Sequence, residues 1–166
     1  LIYNGIWYNL TMQSREKLNF QYDGYQDYLY TGIQGVLMRK NHKILSRNIP
    51  PALNKNILEI GGGAKPHCSI IKLNDVHEYW ISDARHILDH NIEVSKHNIK
   101  KHFYEDDPNY DHFKHSGKSF TRIIASHVWE HVTDAEGALL KWVDLLTDDG
   151  VIDIAIPCDP GWAWRL

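Results

Sequence analysis

The residues able to do chemistry gather at the ends of short apolar runs. Asn56-Ile57-Leu58-Glu59-Ile60-Gly61-Gly62-Gly63-Ala64 is a buried-strand pattern that meets consecutive glycines. Such a turn permits positive φ angles and lets a ligand come close to the backbone. About twenty residues further on, Asp83 ends a second apolar run, where a carboxylate can accept both hydroxyls of a ribose or cap a following helix. Glu105-Asp106-Asp107-Pro108 follows a third run, and Ser126-His127-Val128-Trp129-Glu130-His131 follows a fourth. The acids before Pro108 can serve a ligand or simply form a solvated loop. His127 and His131 stand four apart, but no glutamate adjoins the first, and no other histidine or acid completes a metal-ligand set.

Loops of this kind serve dinucleotides and S-adenosylmethionine alike. A dinucleotide fingerprint beginning at Gly61 requires a glycine at 66, where the chain has Pro66, which removes a donor from the helix start. Glu59, two places before the first glycine, is unfavourable beside a pyrophosphate and suited to an ammonium group. These residues favour an aminoacyl ligand over a phosphorylated one.

The elements that position these groups read as a mainly parallel α/β sheet. Strands are expected at 57–60, 79–81, 102–104, 122–125 and 151–156, separated by helix-compatible crossovers. Thr133 and Glu136 form a capping-box pattern ahead of a helix whose apolar stripe is Leu139, Trp142, Val143 and Leu146. Asp148-Asp149-Gly150 then predicts a turn into the last strand. Pro50-Pro51 marks the start of this core at residue 51. Residues 1–50 lack strand-like alternation and are expected to be helical, as an extension or lid. Tyr22, Tyr25 and Tyr28 recur every third residue there, and Ile33, Val36, Leu37 and Ile44 fall near one helical face.

The segment Leu58-Glu59-Ile60-Gly61-Gly62-Gly63 resembles the first motif of class I S-adenosylmethionine-dependent methyltransferases (methyltransferase type 11-like), acidic-x-Gly-x-Gly-x-Gly, with Lys65 in place of the third glycine. Ala125 to Asp134 resembles the family's hydrophobic-Glu-His-Val-x-Asp segment, and Gly150 to Pro157 resembles its fifth strand and proline exit. The resemblance covers residues 55 to 157 and implies a Rossmann-like three-layer sandwich, C-terminally truncated and preceded by N-terminal helices. It further implies that Glu59, Gly61, Gly62 and Gly63 hold S-adenosylmethionine, and that Asp83 takes its ribose. Asp106 or Asp107 would accept the adenine amine, and Ser126, His127 and Trp129 would lie along the methionine side, with Glu130 and His131 orienting the loop. No catalytic residue carries over, and His127 is the first candidate general base for an acceptor that needs one.

The expected activity is methyl transfer to an unidentified acceptor, a small molecule in the first instance. The alternatives are a non-catalytic S-adenosylmethionine-binding module or remnant, and a nicotinamide-dependent oxidoreductase. A net charge of −3 lacks the basic excess that nucleic acid binding needs. Cys68 and Cys158 are far apart, and no apolar run is long enough for a membrane span. The expectation is a cytoplasmic protein of 166 residues, without a metal, whose 51–166 portion is an incomplete cofactor-binding core.

Overall fold

In the computed structural model the described residues are 30–63, 65–90 and 99–156, with the backbone of 2–3 and 6–7. In chain order the elements are β1 (Ile2–Tyr3), β2 (Ile6–Trp7), α1 (Gly32–Leu45), β3 (Asn56–Ile60), α2 (His67–Ile70), β4 (Glu78–Asp83), α3 (Arg85–His90), β5 (Lys100–Phe103), α4 (Asp111–His115), β6 (Phe120–Ser126), α5 (Ala135–Val143) and β7 (Leu146–Ala155). Single 3₁₀ turns occupy Pro51–Asn54 and Trp129–His131.

All five expected strands form, in the order β5-β4-β3-β6-β7, and every neighbouring pair is parallel. β3 is nearly all buried because a parallel sheet is covered on both faces. Its alternate side chains feed two cores. Leu58 and Ile60 join Trp80, Phe113 of α4 and Trp142 of α5 on one face, whereas Ile57 joins Tyr79, Ile81 and Leu88 of α3 on the other. Leu45 of α1 and Cys68 of α2 pack against the second core. Helices on both faces of one sheet make the three-layer Rossmann-like sandwich. The chain runs outward from β3 to β5, then returns to β6 and β7, so the strand order reverses beside β3, where open α/β sheets bind ligands at their carboxyl ends.

Arg122 fastens this arrangement. It is 0% exposed in β6, and its guanidinium donates to Asp153 Oδ2 (2.6 Å), Asn54 Oδ1 (3.0 Å) and the Leu45 carbonyl (2.6 Å). One side chain thereby joins β7, the 3₁₀ turn and the end of α1.

Four sequence expectations need correction. The N-terminal stretch is not wholly helical, since β1 and β2 pair antiparallel with Ile2 opposite Trp7; Tyr22, Tyr25 and Tyr28 lie outside the described residues. Helix α1 does form, but Ile33 (82% exposed), Val36, Leu37 and Ile44 face outward, and Gly35 and His42 face inward. A Cβ at Gly35 would meet the Tyr30 carbonyl oxygen at 2.1 Å, so close packing of the preceding chain and the hydrogen bonds of His42 orient this helix. Helix α5 is capped by Asp134, whose Oδ1 accepts from Gly137 N (3.0 Å), and not by Thr133; of the proposed stripe only Trp142 is buried. Finally, Asp148-Asp149-Gly150 does not precede the last strand but lies within it. Phe120 pairs with Leu146 and Arg122 with Val151, so the extra residues of β7 bulge outward and expose both aspartates.

Candidate functional site

The glycine loop is shaped first by packing. Gly61 (φ +67°) and Gly63 (φ +57°) hold the left-handed conformation that glycine adopts freely. Gly61 N donates to the Ser82 carbonyl (2.7 Å), tying the loop to the end of β4. A Cβ on Gly61 would lie 2.5 Å from Val128 Cγ2, and one on Gly62 would lie 2.6 Å from Ile81 Cγ2. The loop is therefore clasped between β4 and the segment after β6, and neither glycine can gain a side chain without displacement.

Glu59 sits behind this loop and does not line the cleft. It is 2% exposed, and its carboxylate accepts from His67 N (2.7 Å) and the Tyr79 hydroxyl (2.6 Å). Burial pushes its pKa up to about 7, against the lowering effect of those two hydrogen bonds. Its place in the fold is to brace the start of α2, where the chain leaves the glycine loop.

Asp83 does face the cleft. Its Oδ2 accepts from Gly63 N (2.8 Å) and its Oδ1 from Ala84 N (2.7 Å), so the carboxylate is held rigidly between the loop and the chain leaving β4. Burial raises its pKa despite both bonds. Each oxygen keeps a lone pair for a ligand hydroxyl.

A cleft of about 500 Å³ opens at this rim, between Gly61, Asp83 and Ala84 on one side and Val128, His131 and Trp142 on the other. The third acidic segment contributes differently from the sequence expectation. Tyr104 and Pro108 line the cleft, whereas Asp106 forms an exposed ion pair with Arg85. Asp107 accepts from His102 Nε2 (2.9 Å), Asp111 N (2.8 Å) and His112 N (2.9 Å), which caps α4. Glu105 receives the Arg85 amide at the start of α3. Neither Asp106 nor Asp107 faces the cleft.

Of the fourth segment, Ser126 ends β6 with a buried hydroxyl oxygen that has no hydrogen-bond partner among the described residues. His127 is half-buried with φ +57°, and its amide donates to the Ala155 carbonyl (2.9 Å) at the carboxyl end of β7. Burial lowers the His127 pKa, opposed by Glu130. Trp129 turns into the core and stands edge-on to Trp142, with ring centroids 5.4 Å apart. His127 lies before the Trp129–His131 turn, so the two histidines do not share a helical face. Among the described residues no three His, Cys, Asp or Glu side chains come together as a metal-ligand group.

The chain fold around this cleft agrees with sequence comparison. The profile of the methyltransferase domain matches residues 32–165. This chain belongs to that family. The structure of phosphoethanolamine N-methyltransferase 1 from Haemonchus contortus, in complex with phosphoethanolamine and S-adenosylhomocysteine, is similar over 96% of this chain and 35% of that chain, at 18% identity and a TM-score of 0.59. DesVI of Streptomyces venezuelae is similar over 92% and 60%, at 14% identity and 0.52. The plantazolicin methyltransferase BpumL, in complex with S-adenosylhomocysteine, is similar over 86% and 52%, at 17% identity and 0.54. This chain thus spans between about a third and three fifths of these solved chains, and the likeness is one of fold. No curated protein matches the sequence significantly.

Sequence reasoning missed several features of the domain's site. Tyr104 directly follows β5 and Pro108 lies in the same loop, so the place of Tyr104 at the rim was legible from the strand end alone. Tyr110 (2% exposed, φ +60°) lines the cleft from a helix start, stacked on His102 at 4.9 Å, and no local pattern marks it. Beneath it Ser82 Oγ lies 3.0 Å from His102 Nδ1, so a polar chain runs from the cleft to Asp107. A second buried chain joins Tyr30 to His42 Nε2 (2.8 Å), His42 Nδ1 to His67 Nδ1 (2.9 Å) and His67 Nε2 to Ser46 (2.7 Å). Burial is the main cause that lowers His42 to about 4 and His67 to about 3, with each neighbouring histidine adding to it, so both rings are neutral.

Proposed function

We propose that this methyltransferase domain binds S-adenosylmethionine in the cleft at the carboxyl ends of β3, β4 and β6 and supports methyl transfer to a small-molecule acceptor. The observation that carries this reading is Asp83: a carboxylate pinned to Gly63 yet facing the cleft, at the place where a nucleoside diol would be bound. The donor set fits the ligand. Gly61 to Gly63 supply close backbone, Tyr104 and Tyr110 supply aromatic faces for a base, and Ser126, whose buried hydroxyl is unpartnered among the described residues, ends the neighbouring strand β6. His127 stands next to it, as the family resemblance implies for the methionine side. Asp106 and Asp107 would serve the adenine amine only through rearrangement of the loop, and Glu59 and Trp129 would act on the ligand through the backbone they brace.

When bound, S-adenosylmethionine supplies an electrophilic methyl on sulfonium. The domain's residues would contribute orientation and water exclusion, because much of the acceleration of such a displacement comes from alignment of the reacting atoms. The family match sets aside the nicotinamide-dependent reading. Residues 1–50 would serve as an extension or lid over a core spanning 51–166, with α1 already seated on that core. No helix among the described residues is long and apolar enough to cross a membrane. A cytoplasmic location belongs to the same proposal, on the support of two widely separated cysteines.

Calorimetric titration with S-adenosylmethionine, S-adenosylhomocysteine and NAD tests the reading. Binding of the first two, weakened at least tenfold by Asp83→Ala, is expected, since the substitution removes hydrogen bonds to a charged acceptor. Binding of NAD alone would refute it.

A further inference from the structure

Helix α1 brings to the segment after β6 a side chain that the sequence did not single out. Asn41 Nδ2 lies 3.3 Å from His127 Nε2, across 86 positions of the chain. An amide NH₂ only donates, so Nε2 is the unprotonated, accepting nitrogen, and a neutral His127 carries its proton on Nδ1. The backbone of His127 is fixed independently, by its amide bond to Ala155 and by a left-handed φ of +57°. Strain of that kind persists where the surroundings over-determine it, and it clusters at ligand sites. Among the described residues nothing accepts from Nδ1, and the adjacent Ser126 hydroxyl is buried without a partner.

We propose that Asn41 is a positioning residue of the methyl-donor site, locking His127 in its Nδ1–H tautomer so that this ring presents a hydrogen-bond donor to the carboxylate of the bound aminoacyl ligand. The inference rests on the S-adenosylmethionine reading of the cleft. It gives His127 the part of a donor and not of a general base, because the nitrogen that could accept a proton is turned toward Asn41. It also gives α1 a function beyond covering the sheet, for its inward face carries Asn41 to His127 and His42 to His67.

The test is ¹⁵N NMR of the histidine ring nitrogens in the full chain near neutral pH, with His127 assigned from a His127→Gln spectrum. The wild type is expected to show protonated Nδ1 and unprotonated Nε2. Asn41→Ala should return His127 to the Nε2–H form that free imidazole favours. Asn41→Asp, nearly isosteric and accept-only, should do the same and raise the His127 pKa. Both variants should bind S-adenosylhomocysteine about three- to tenfold more weakly, the loss expected for one misdirected hydrogen bond. An Nε2–H form in the wild type, or an unchanged tautomer in both variants, would overturn the inference. A switched tautomer with unchanged affinity would overturn the positioning role while leaving the cofactor reading intact. A wild type with the expected tautomer that binds no S-adenosylhomocysteine would refute the cofactor reading and the ligand assigned to His127, with Asn41 still in control of the ring.

Discussion

Glu59→Gln should steepen the loss of stability on acidification, although it removes an acid. His42 and His67 are buried neutral, with pKa values of about 4 and about 3 against an ordinary value of 6.5. Each binds a proton in the unfolded chain before it can do so in the folded one, so stability is fully present above pH 6.5 and falls as pH drops through the window below it. At ~1.36 kcal/mol per pH unit, bringing the protein from pH 7 to pH 5 costs about 2 kcal/mol per ring, or about 4 together. Glu59 acts in the opposite sense. Its folded pKa of about 7 lies above the ordinary value of 4.5, so its contribution grows as pH falls from 7 toward 4.5 and returns about 2 kcal/mol over the same interval. The wild type should therefore lose only about 2 kcal/mol from these three groups, and Glu59→Gln about 4. Urea unfolding of both proteins at pH 7 and pH 5 measures the difference, and all other titrating groups cancel to first order. Parallel pH dependences would refute the assignment of a buried, proton-binding carboxyl behind the glycine loop.

Gly61→Ala should destabilise the domain by about 1–3 kcal/mol, from a left-handed alanine and from the clash with Val128. Val128→Ala in the same chain should recover the part due to Cγ2 but not that due to Val128 Cβ, which stays 2.9 Å away, and should leave the backbone part, as read by thermal or urea midpoints. Arg122→Ala should cost about 3–5 kcal/mol, since Asp153 and Asn54 lose their buried partner, and Arg122→Lys should restore only part of it because one ammonium cannot span three acceptors. Chemical denaturation decides it, and a loss below 1 kcal/mol would contradict the fastening role of the guanidinium.

Much of the scaffold was legible because its signals are local. Continuous apolar runs of strand length bounded by turn residues placed all five strands. The alternation of runs with crossovers implied their parallel pairing. Consecutive glycines after Glu59 and the acid ending β4 located one edge of the cleft, because a tight turn and a strand end are short-range features. The helix stripes were misread for the complementary reason. Ile33, Val36, Leu37 and Ile44 satisfy helical periodicity, yet the buried face of α1 is chosen by His42 and Asn41, whose partners His67 and His127 are 25 and 86 positions away.

What the amino-acid order determined by itself is therefore the set of elements, their parallel arrangement and the loops that gather at one end of the sheet, since these follow from backbone preferences and from burial periodicity. Tertiary structure alone decided which acids see the cleft. Glu59, Asp83, Asp106 and Asp107 are chemically alike in the sequence, but Tyr79 and the His67 amide consume the first, Arg85 holds the third at the surface, and His102 with the start of α4 holds the fourth. Of these four, Asp83 alone lines the cleft, because its hydrogen bonds come from the glycine loop and Ala84 and leave its outer lone pairs free. A carboxylate's availability depends on the donors that folding brings to it, which lie within five positions for Asp107 but 20 or 21 positions away for Tyr79 on Glu59, Gly63 on Asp83 and Arg85 on Asp106.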